Sequence, residues 1–156
     1  LHVRSRRQRQ MCIRDRIYTM CKSLWPDITA KREETPKDIL QQQANFLSEN
    51  TNGKIVGNIE ISEGSNFEIE KDLRTLIRRT EQDLCYKLYI TATHMGGVRF
   101  LLLSMLQNPI EIYPCHLKDE VNEVEYKDLE NMDSFIARLK EILQSPKIST
   151  LLSNLI

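Results

Sequence analysis

The stretch that most limits what this chain can fold into is residues 84 to 117, LCYKLYITATHMGGVRFLLLSMLQNPIEIYPCHL, where apolar, β-branched and aromatic residues dominate three successive runs. In the first run Leu84, Tyr86, Leu88, Ile90 and Ala92 alternate with Cys85, Lys87, Tyr89, Thr91 and Thr93. That period of two marks a strand with one buried face. His94-Met95-Gly96-Gly97 supplies a turn, because glycine takes positive φ without steric cost. From Val98 to Leu106 both alternating sets are apolar: Val98, Phe100, Leu102 and Leu106 on one side, Leu101, Leu103 and Met105 on the other. Such a strand is expected at the centre of a sheet and covered on two faces. After the turn at Gln107-Asn108-Pro109, Ile110 to Leu117 alternates again, with Pro114 removing one ladder donor.

The flanking segments predict helices and further strands. Thr35-Pro36-Lys37-Asp38 is a helix start: an N-cap hydroxyl, proline at the first helical position and an acid in the positive first turn. The helix should run from Pro36 to about Asn50 with Ile39, Leu40, Ala44, Phe46 and Leu47 inward, and Asn52-Gly53 should stop it. Lys54 to Ser62 alternates as a strand in which Gly57 marks a bulge or a close backbone approach. Phe67 to Asp83 carries apolar residues at intervals of three and four, so a helix is expected there, with Arg74, Arg78 and Arg79 on its wet face. Val121 to Tyr126 reads as a short edge strand. Asp133 is the expected N-cap of a helix over Ser134 to Leu143, with Phe135, Ile136, Leu139, Ile142 and Leu143 inward, and Ser145-Pro146 opens a last helix to about Leu155. The fold class expected is α+β: an antiparallel meander of about four strands packed against an N-terminal helix and two C-terminal helices.

Composition separates two parts of the chain. Residues 1 to 19 hold six arginines against the single acid Asp15, whereas the remainder has sixteen basic and twenty-one acidic residues. The overall net charge of zero therefore describes neither part. The first nineteen residues lack apolar periodicity and are expected to form a tail, with residues 20 to 156 as one α+β domain and Trp25 tucked onto its core. An arginine-rich arm also suits phosphate binding or a transit peptide. Arg6 to Arg16, however, resembles the translated read-through of a sequencing adapter, and Met20 is then the natural start. Cys12, Cys21, Cys85 and Cys115 have neither CxxC nor zinc-ligand spacing. No apolar run approaches the ~20 residues of a membrane span. A reducing cytoplasm, with neither nucleic acid nor membrane as partner, is the expectation.

No catalytic template fits. Cys115 and His116 are strand neighbours, so their side chains point to opposite faces and cannot act as nucleophile and base. Two glycines after His94 without a phosphate-loop lysine carry little weight. No cofactor or metal is expected. The doubly apolar central strand suggests a protein-interaction surface at Leu101, Leu103 and Met105, taking a partner protein or a second copy, unless the helix from Phe67 covers that face. The competing expectation is a small enzyme or ligand-binding protein with a pocket between the first helix and the sheet, and Tyr89, His94, Tyr113 and His116 as its polar contacts.

Trp25-Pro26, Thr35-Pro36-x-x-Ile39-Leu40-x-x-Gln43-Ala44-x-x-Leu47-x-x-x-Thr51, Leu88-Tyr89-Ile90, Ile112-Tyr113-Pro114 and Phe135-Ile136-x-x-Leu139-Lys140-x-Ile142-Leu143 together resemble the pattern of a group of small uncharacterised bacterial α+β proteins. The resemblance spans most of residues 20 to 156 and rests on structural positions. It implies a leading helix, an antiparallel sheet, closing helices and a bacterial source, and it carries no functional residue.

Overall fold

A computed structural model describes residues 33–63 and 83–156. The expected tail, the Trp25 anchor and the helix beginning at Phe67 with its arginines lie outside the described residues. In chain order the elements are α1 (Pro36–Asn50), β1 (Ile55–Glu63), β2 (Leu84–Ala92), β3 (Val98–Gln107), β4 (Cys115–Asp119), β5 (Val124–Leu129), α2 (Met132–Leu143) and α3 (Pro146–Asn154). The strands form one antiparallel sheet in the order β1-β2-β3-β4-β5, each beside its neighbour in sequence. The fold is the expected α+β meander, with five strands rather than about four. No described helix is long and apolar enough to cross a membrane.

Helix α1 starts where its capping signals lie. The Thr35 N–H donates to Asp38 Oδ2 at 2.9 Å, and Thr35 Oγ1 accepts the Asp38 N–H at 3.4 Å. These reciprocal bonds satisfy donors that the first turn leaves without helical partners. At the other end Asn52 and Gly53 take positive φ and turn the chain into β1. Thr51 Oγ1 then accepts the Ile55 N–H at 3.2 Å, and Ser48 Oγ accepts the Gly57 N–H at 3.3 Å. Helix hydroxyls thereby take up backbone donors of the first strand, one way a sheet edge is closed to unwanted pairing. Gly57 marks a close approach, to Ala44 of α1, rather than a bulge.

The main core lies between one sheet face and the helices. Leu40 and Ala44 of α1, Phe135, Leu139 and Ile142 of α2, and Ile148 of α3 pack with Ile55, Leu88, Ile90, Leu103, Met105 and Leu117 of the sheet. Phe46 and Ile136, expected inward, are exposed. At 100° per residue Phe46 points well away from the Leu40–Ala44 stripe that meets the sheet, and Ile136 lies at the flank of the Phe135–Leu139 stripe, on its solvent side.

One irregularity changes which side chains reach this core. Leu88 pairs with Leu103 but its neighbour Tyr89 pairs with Leu101, so Leu102 is an extra residue in β3. A bulge of this kind breaks strict alternation. Phe100, Leu102, Leu103 and Met105 all pack with the main core, whereas Leu101 joins Tyr89 on the second face. The interaction surface expected at Leu101, Leu103 and Met105 is corrected accordingly: Leu103 and Met105 are 0 % exposed and serve as core.

Three further boundaries differ from expectation. β4 is Cys115–Asp119 rather than Ile110 to Leu117, because Asn108 Oδ1 accepts the Ile110 and Glu111 N–H groups at 2.8 Å and 3.1 Å and bends the chain before it. The edge strand is Val124–Leu129 rather than Val121 to Tyr126, because the Asp119 carboxylate accepts the N–H groups of Val121 and Asn122 and curls them into a turn. Asn131, not Asp133, caps α2. Its Oδ1 accepts the Ser134 N–H at 2.9 Å, while Asp133 sits in the first turn, where its charge opposes the helix dipole favourably.

Candidate interaction surface

The strand register lays the second face out in rows. Ser62, Cys85, Leu106 and His116 form one row across four strands. Cys85 and Leu106 make a small buried cluster separate from the main core, and His116 is buried beside them. Towards the β2–β3 turn the rows become more exposed: Glu60 and Lys87, then Asn58, Tyr89 and Leu101, then Val56, Thr91 and Arg99. The described helices place their buried side chains in the main core on the other side.

In the open rows Arg99 joins all three strands. Its guanidinium carbon stands 4.2 Å from the centre of the Tyr89 ring, and its Nη2 lies 2.7 Å from Glu60 Oε1. Both charged side chains are about half exposed, so the ion pair contributes at most about 1 kcal/mol to stability. Its main effect is on orientation, since it holds the planar guanidinium over the ring, where cation–π attraction adds about 0.5–1 kcal/mol. Leu101, partly buried, stands beside Tyr89, and Asn58 donates to Thr91 Oγ1 at 3.4 Å. The result is an aromatic and an aliphatic side chain flanked by a fixed cation and hydroxyl and amide groups.

The four residues considered for a pocket do not converge. Tyr89 lies in the more exposed rows of the second face, away from α1. His94 is exposed in the short 3-10 turn Thr93–Met95 that follows β2. Tyr113 packs against the main core and donates from its hydroxyl to Met132 Sδ at 3.4 Å. Burial pushes its phenol above the ordinary value, with Cys115 and Asp133 adding to the rise. His116 shares the second face with Tyr89, but its row passes through Cys85, four residues along β2. At ~3.3 Å per residue this separates the two rows by about 13 Å. The His116 Nδ1 accepts the Asp128 N–H at 3.2 Å, in the bulge where two residues of β5 face one of β4. Positive φ at Asp128, tolerated by aspartate, makes that bulge possible.

Cys115 and His116 do project to opposite faces, Cys115 into the main core and His116 beside Leu106. The Cys115 thiol is pushed up to about 12 by burial, which suppresses the nucleophilic thiolate. Among the described residues no group of three or more His, Cys, Asp or Glu side chains is placed to hold a metal ion. Arg99 was not among the expected site residues. Its parity with Leu101 was legible, but its stacking on Tyr89 and pairing with Glu60 depend on contacts across three strands. Compared with known proteins, the chain matches no protein-family model, no curated protein and no solved structure.

Proposed function

We propose that this chain is a non-catalytic protein-interaction module, of the accessory or immunity type in a bacterial system, which takes its partner on the open rows around Tyr89, Arg99 and Leu101. The observation that carries this reading is the Arg99 guanidinium held over Tyr89 by Glu60, beside the partly buried Leu101. Tyrosine and arginine dominate the residues that contribute most to protein–protein binding, and a pre-positioned pair loses less side-chain entropy on docking. The pocket alternative lacks a convergent set of polar side chains among the described residues. A cytoplasmic location belongs to the same proposal and is supported by Cys115 being a free, buried thiol.

The test is site-specific photo-cross-linking in cells of the source organism. A cross-linker replacing Leu101 should give a discrete protein adduct, one replacing the exposed Gln41 on α1 should not, and Arg99→Glu should abolish the first while the chain keeps a cooperative thermal unfolding transition. An adduct at twice the chain mass would identify the partner as a second copy. Equal labelling from both positions, or none from Leu101, would overturn the proposal.

A further inference from the structure

We draw no further inference here: the strongest candidate, the outer edge of β1 beyond Gly57 with the exposed Ile61 beside it, carries nothing because nothing in the structure shows what covers it.

Discussion

Gly57 of β1 passes so close beneath Ala44 of α1 that a Cβ built at Gly57 would stand 2.7 Å from both the Cα and the Cβ of Ala44. The missing side chain lets the helix lie directly on the strand, and one of the two clashing atoms is backbone. Overpacking at such a contact forces the elements apart and costs about 1–3 kcal/mol. Gly57→Ala is therefore expected to lower stability by that amount, measured by urea denaturation of the full chain. An unchanged midpoint would show that α1 is not seated as described.

The bulge at Leu102 makes opposite demands on two leucines only two positions apart. Leu103 is fully enclosed, so Leu103→Ala removes its burial energy and leaves a cavity, a loss of about 2–5 kcal/mol. Leu101 is only partly covered, and Leu101→Ala should cost less than about 1.5 kcal/mol. Strict alternation would put both side chains on one face and make the losses similar. Comparable destabilisation in paired urea titrations would therefore argue against the bulge.

Asp119 is 2 % exposed, and its carboxylate accepts three bonds: from Val121 N–H at 3.0 Å, Asn122 N–H at 2.9 Å and Asn122 Nδ2 at 2.6 Å. Asn122 Nδ2 also lies 3.1 Å from Ser145 Oγ, the N-cap of α3, so the β4–β5 turn is tied to the last helix. Asp119→Ala strands the two backbone donors and should cost on the order of 3 kcal/mol, as expected for bonds to a charged group. Hydrogen exchange should accelerate at Val121 and Asn122 before it does in β2. Exchange unaltered at those two amides would mean that the carboxylate does not organise the turn.

Burial of Cys115 couples stability to alkaline pH. Its thiol ordinarily ionises near 9.0 but is raised to about 12 in the folded chain. Below the lower value both folded and unfolded states keep the proton, and the contribution of this group is fully present. Between the two values the unfolded chain releases the proton and the folded chain holds it, so stability falls as pH rises. Cys115→Ala should flatten that fall in denaturation measured from pH 8 to pH 11. Peptide mass analysis after brief alkylation at pH 8 should find Cys115 unmodified when folded and modified in denaturant. Rapid labelling of the folded chain would contradict its burial.

The extent of α1 was legible in residues 35–53 because a helix start and stop are written locally, in an N-cap hydroxyl, a following proline and an Asn-Gly pair. Strands β1, β2 and β3 were legible for a similar reason, since alternation needs no knowledge of the partner strand. Where a local signal competed with another, the boundary shifted. Val121 alternates acceptably with its neighbours, yet the Asp119 carboxylate draws it into a turn. Asn131 and Asp133 are both good caps, and the reciprocal bond with Ser134 selects Asn131. For the candidate site, Tyr89 and Leu101 were among the residues expected to matter, but they belonged to separate hypotheses.

By itself, then, the order of amino acids determined the α+β class, the meander and the positions of most elements, because each depends on interactions within a few residues. Tertiary structure alone decided that Leu103 and Met105 belong to the core and Leu101 to the second face, and that Arg99 rests on Tyr89. The physical reason is that a bulge shifts facing by one residue, and its position is set by how two strands pair across the sheet.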